Sequence, residues 1–151
     1  MARVKTWTSA FPQMINMHVR YYNNTRLVRQ HWSALVRYTE NLIGVANSSS
    51  EGLAECDQWE DWLCGNAHSC CSGLPANSSC PVKDEMGSFG YVQTLRAMAD
   101  MGTVLNDLTA SKRYAALAVV ATSDFHKAFY NPRFRAYGKL FLTLFCILSS
   151  F

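Results

Sequence analysis

The sequence is poor in charge: 17% of its 151 residues are Asp, Glu, Lys or Arg, against 49% hydrophobic. That balance rules out a chain too polar to collapse, and the length is enough for one domain with a core of its own. No run of Lys and Arg occurs, no basic patch interleaves with aromatics, and the net charge is only +3, so no nucleic-acid partner is read. No Cys-x-x-Cys knuckle is present, which argues against a structural zinc site; neither a metal nor a cofactor is expected. No apolar run reaches the roughly 20 residues that a spanning helix needs, so no membrane span is expected. Nor does an apolar stretch follow the basic residues of Met1 to Lys5. Thr6-Trp7-Thr8-Ser9 stands in that place, so no signal peptide is read.

What is present points to an oxidising compartment. Of six cysteines, Cys56, Cys64, Cys70, Cys71 and Cys80 fall within one 25-residue window, and Cys146 stands apart in the tail. Without a zinc knuckle, such a cluster reads as a disulfide framework of open pairing. Three N-x-S/T sequons, at Asn23, Asn47 and Asn77, agree with it, each expected in a turn or loop. The expected location is secreted, or the lysosomal or vacuolar lumen. A body of that kind without a targeting segment is expected to be part of something longer.

Helical periodicity organises the rest. Phe11, Met14, Ile15, His18 and Tyr22 recur at helical spacing, with Pro12 in a first turn that tolerates it. Asn23-Asn24 is the expected break, because Asn accepts the left-handed conformation and also caps a following helix. A second helix is predicted from about Thr25 to Ile43, with Val28, Trp32, Leu35, Thr39 and Leu42 on one stripe and Gly44 as its stop. So short a connection makes the pair an antiparallel hairpin. A second hairpin is read from Met86, Phe89, Val92, Leu95, Ala99, Gly102 and Leu105, then Tyr114, Leu117, Ala118, Ala121, Phe125, Ala128 and Phe129. Thr109 or Ser111 is its expected internal cap, and Asn131-Pro132 its end. Glu85 opens the third helix, where a carboxylate suits the helix dipole.

The fold class expected is therefore all-α: hairpins over about 8–44 and 84–130, and between them a cysteine-bearing loop over 45–83. An apolar tail, 139–151, follows a domain spanning 1–138. The loop carries Asp57-Gln58-Trp59-Glu60-Asp61-Trp62, which packs two indoles and three carboxylates into six residues. Indole faces stack on the C–H bonds of a pyranose and carboxylates accept its hydroxyl hydrogen bonds, so the motif suits a sugar. His18, His31 and His126 fall on helices, where packing or a solvated face is the expected role; His68 lies among the cysteines.

These pieces, in order, resemble a known family. Trp7-x-Ser9-Ala10-x-Pro12, then Tyr21-Tyr22-Asn23-Asn24-Thr25-Arg26-Leu27, then Trp32 and Tyr38, look like the six-hairpin glycosidases of the bacterial and fungal α-L-rhamnosidase type. Glu60-Asp61-Trp62 is similar to that family's Gly-Asp-Trp, and the run from Gly90-Tyr91 through Tyr114 to Phe129-Tyr130 is similar to its next helix pair. The resemblance covers about residues 6–138. Asn23-Asn24 replaces Gly-Asp, a mild change, whereas Glu60 replaces a Gly and adds charge and bulk beside Asp61.

The resemblance implies two hairpins of an (α/α)6 six-hairpin toroid, and hydrolysis of terminal α-L-rhamnosyl bonds with inversion in the complete protein. The partner would be a rhamnosylated carbohydrate or glycoside. By resemblance Trp7, Asp61 and Trp62 contribute to the sugar pocket. The inverting acid and base, about 6.5 to 9.5 Å apart, are expected outside this chain, so no catalytic residue is assigned within it. Two alternatives stay open: another (α/α)6 glycosidase, trehalase-like or glucoamylase-like, and a secreted, disulfide-stapled helical interaction domain.

Overall fold

The computed structural model describes residues 9–54, 81–133 and 135–137. They form α1 (Ala10–Tyr22), α2 (Thr25–Ser48), α3 (Pro81–Val104) and α4 (Leu108–Phe129), followed by two short strands, β1 (Tyr130–Asn131) and β2 (Ala136–Tyr137).

The break between α1 and α2 works as its sequence dictates. Asn23 takes the left-handed conformation at φ 51°, and its N–H donates to the Val19 carbonyl at 2.9 Å. The Asn24 side chain then accepts from the Arg26 N–H at 3.2 Å and starts α2. Val28, Leu35, Thr39 and Leu42 are buried along α2, and Trp32 packs half-buried beside them.

Gly44 does not stop that helix. α2 continues one more turn to Ser48, burying Ala46 against the core and packing Val45 half-buried beside it. The apolar area gained there outweighs the roughly 0.5–1 kcal/mol that a mid-helix glycine costs relative to alanine. The loop expected from residue 45 therefore starts at Ser49, and Asn47, expected in a loop, sits on the exposed last turn of the helix.

α3 is the centre of the bundle and packs against the other three helices. A single stripe was expected of it. Instead Tyr91, Val92, Thr94, Leu95, Ala97, Met98 and Met101 are all buried, so its apolar character runs around most of its circumference. Phe89, assigned to the inward stripe, is 47% exposed. At the far end of the pair, Gly102 lies so near α4 that an added Cβ would sit 2.9 Å from the Ser111 backbone nitrogen.

The second connection repeats the logic of the first with different residues. Asn106 takes φ 60°, and Asp107, rather than Thr109 or Ser111, caps α4 by accepting from the Ala110 N–H at 3.0 Å. Ser111 instead shares a hydrogen bond with Thr103 on α3, at 2.8 Å. α4 ends at Phe129, where the chain turns extended into β1, which pairs antiparallel with β2 through Tyr130 opposite Tyr137. Strands this short carry no periodicity, which is why none was predicted.

Cross-links fix the directions of the helices. Ser9 lies against Gly90, and Asp100 accepts from Asn16 at 3.1 Å and from Arg20, so α1 and α3 run parallel. Glu40 meets Arg113, and Gly52 meets Asp124, so α2 and α4 run together in the opposite sense. One end of the bundle thus gathers the N-termini of α1 and α3 and the C-termini of α2 and α4.

Candidate functional site

At that end a groove of about 450 Å³ runs between α3 and α4. On α3, Glu85, Phe89, Val92, Gln93 and Arg96 follow helical spacing and share one face; Thr122 and Phe125 of α4 and Tyr137 of β2 complete the lining. Glu85 and Arg96 are three turns apart, roughly 16 Å along the helix axis. The groove therefore has a carboxyl at one end, a guanidinium at the other and an aromatic wall between.

The aromatic wall is built by contact. Phe125 packs on Phe89 at 6.2 Å, on Phe129 at 5.0 Å and on Tyr137 at 5.5 Å between ring centroids. The strand pair completes this wall by bringing Tyr137 back onto α4. His126 holds Tyr137 there: its Nδ1 lies 2.9 Å from the Tyr137 hydroxyl, and its ring stacks on Tyr130 at 4.5 Å. His126, expected to be a packing or solvated residue, is thus a brace for the groove.

The polar ends differ in environment. Burial beside the aromatic wall pushes the Glu85 carboxyl above the ordinary carboxylate range. Arg96 donates to the Thr122 hydroxyl at 3.2 Å, and that hydroxyl spends its own proton on the Ala118 carbonyl at 2.6 Å. Among the described residues no carboxylate pairs with Arg96. A second cleft of about 570 Å³ opens nearby, lined by Ser50, Glu51, Gly52, Asp124, Lys127 and Ala128; it is polar, and Lys127 lies 3.4 Å from Asp124 within it.

Most of the other described carboxylates are committed to structure. Glu40 accepts from Arg113 and from the Tyr114 hydroxyl, Asp100 from Arg20 and Asn16, and Asp107 caps α4. Among the described residues no cluster of His, Cys, Asp and Glu is arranged to hold a metal ion, and no helix is long and apolar enough to cross a membrane.

The expected sugar-pocket residues Trp7, Asp61 and Trp62 lie outside the described residues, as do all six cysteines. The groove residues were missed in the sequence. Glu85 was given only a dipole role, although a spacing of Glu85, Phe89, Gln93 and Arg96 places polar groups at both ends of an aromatic-bearing face. Tyr137 carried no signal, because only the strand pair returns it to the helix.

Stacked antiparallel hairpins around a central helix, with an aromatic groove between the last two, define an all-α hairpin domain. Its family is given by a match over residues 1–143 to the model of the bacterial alpha-L-rhamnosidase six-hairpin glycosidase domain. The chain belongs to that family, and its two hairpins are part of that all-α architecture. Comparison with curated proteins and with solved structures gives no match. Family membership makes a carbohydrate the expected class of substrate and does not favour an interaction domain without sugar chemistry.

Proposed function

We propose that the chain forms part of the sugar-binding wall of a glycosidase that hydrolyses terminal α-L-rhamnosyl bonds with inversion. The observation that carries the proposal is the family match across residues 1–143, within which the groove supplies aromatic faces and polar ends suited to a pyranose. Trp7 and Trp62 stack on the ring and Asp61 holds its hydroxyls. Chain connectivity supports that assignment, since the described structure meets the Trp7 segment at Ser9 and the Asp61-Trp62 segment at Ala54 and Pro81, all toward the end that bears the groove.

Inversion requires an acid that protonates the leaving oxygen and a base that activates water across the ring. Glu40, Asp100 and Asp107 are tied into structural bonds, so none of these three is assigned to that pair. The clustered cysteines and the sequons support a secreted or luminal setting, with disulfides within 56–80.

Calorimetric titration of the chain with methyl α-L-rhamnoside tests the proposal. Binding is expected, weakened by Trp62→Ala and by Asp61→Ala with helicity by circular dichroism unchanged. A chain that keeps its helicity and binds no rhamnoside would sink it. Turnover of an aryl α-L-rhamnoside by this chain, abolished in Asp61→Ala, would overturn the assignment of a binding role alone.

A further inference from the structure

We propose that the groove between α3 and α4 is a subsite for an acidic sugar, with the ring of a uronic acid on the wall of Phe89, Phe125 and Tyr137 and its carboxylate on Arg96. This rests on the carbohydrate reading above but not on rhamnose, and adds the charge of the occupant.

The Arg96 guanidinium is the reason for the charge. It offers five N–H donors, and the structure uses Nη2 on a neutral hydroxyl, that of Thr122. Thr122 is itself fixed by its bond to Ala118, so the guanidinium is held against α4 with donors left over. No carboxylate among the described residues satisfies them, and a planar carboxylate accepts two such bonds in parallel. The aromatic wall is the reason for the ring. Phe89 and Tyr137 are 47% and 53% exposed, which leaves apolar faces open to the C–H side of a pyranose.

Arg96 sets the orientation. Glu85 stands roughly 16 Å away along the helix, so its carboxylate does not compete for the guanidinium end of the groove. Gln93, one turn before Arg96, offers both an amide donor and a carbonyl acceptor to ring hydroxyls between the two. A volume of about 450 Å³ is that of a small-ligand pocket, large enough for one or two pyranose rings.

The test uses two probes that share a ring and differ at one carbon. The full chain is titrated with glucuronate and with glucose, followed by calorimetry and by NMR of the Arg96 side chain. Glucuronate is expected to bind roughly tenfold tighter than glucose or better, the gain of a charge-assisted bond pair. Arg96→Gln is expected to erase that preference, with the helical fold checked by circular dichroism; Arg96→Lys keeps part of it, and Tyr137→Ala weakens both sugars. Equal affinities for the two sugars would overturn the proposal, as would a preference that survives Arg96→Gln. Cyclohexanecarboxylate binding as tightly as glucuronate would also overturn it, because the sugar hydroxyls would then contribute nothing. Methyl α-L-rhamnoside, titrated separately, reports on the rhamnosidase reading alone.

Discussion

Glu40 on α2 grips Arg113 on α4 with both carboxylate oxygens, the Oε2 prong at 2.8 Å, and Oε1 also accepts from the Tyr114 hydroxyl at 3.1 Å. Two helices are joined by this one carboxylate, through residues 73 positions apart in sequence. The Arg113 hydrogen bonds hold the Glu40 carboxyl below its ordinary range despite partial desolvation. A lowered carboxyl stabilises the fold above its unfolded pKa and loses that contribution as pH falls through the folded value. Unfolding in urea is therefore expected to show Glu40→Gln less stable than wild type above about pH 5, the two converging in stronger acid. Both side chains are more than a third exposed, so solvent screening limits the difference to about 0.5–1 kcal/mol.

Tyr114 extends the same contact to high pH. Burial first, and the Glu40 carboxylate second, push its phenol up to about 12. A raised folded pKa adds stability that is complete below the unfolded value near 10 and disappears as pH rises through the folded one. Burial raises the Tyr91 phenol as well, so spectrophotometric titration is expected to show late-ionising tyrosine, and Tyr114→Phe to remove the part of that late absorbance that titrates near 12.

Two glycines in helices are expected to answer alanine with opposite signs. A Cβ at Gly44 meets nothing within 4 Å, so Gly44→Ala recovers helix propensity and raises stability by about 0.5–1 kcal/mol. A Cβ at Gly102 meets the Ser111 backbone at 2.9 Å, so Gly102→Ala must push α3 and α4 apart and costs on the order of 1–3 kcal/mol. Thermal melts of the two variants check both, and a stabilised Gly102→Ala would contradict the close approach.

These contrasts mark what the residues reveal before any coordinates. Asn23-Asn24 is legible because both of its jobs, the left-handed stop and the side-chain cap, are local. Gly44 misleads because local propensity is overridden by the packing of Val45 and Ala46 beyond it, which depends on helices far along the chain. Asp107 is passed over for Thr109 and Ser111 because three cap-competent residues within five positions differ only in register, which the left-handed Asn106 settles. The groove is the least legible part. Its face of α3 is visible in the spacing, but the partners Thr122, Phe125 and Tyr137 arrive through tertiary packing and a strand pair too short to announce itself.

Glu85 brings stability and function into opposition. Its carboxyl is partly buried beside aromatic rings, and that burial raises its pKa by working against the charged form. The sign follows directly: a raised carboxyl favours the folded state below the unfolded pKa, near 4.5, and gives that contribution up as pH rises through the folded value. Glu85→Gln removes the charge at nearly constant shape. At pH 7 it is expected to unfold later than wild type, by up to about 1 kcal/mol given the partial exposure, and at pH 4 to show no gain. The helix dipole opposes this effect, since Glu85 lies near the start of α3, so a variant less stable at pH 7 would show that the dipole outweighs desolvation. If the carboxyl also orients a sugar in the groove, the stabilised variant binds glucuronate with less discrimination against glucose derivatives charged at other ring positions. Gain of stability with loss of discrimination is the signature of a residue kept for its ligand rather than for the fold.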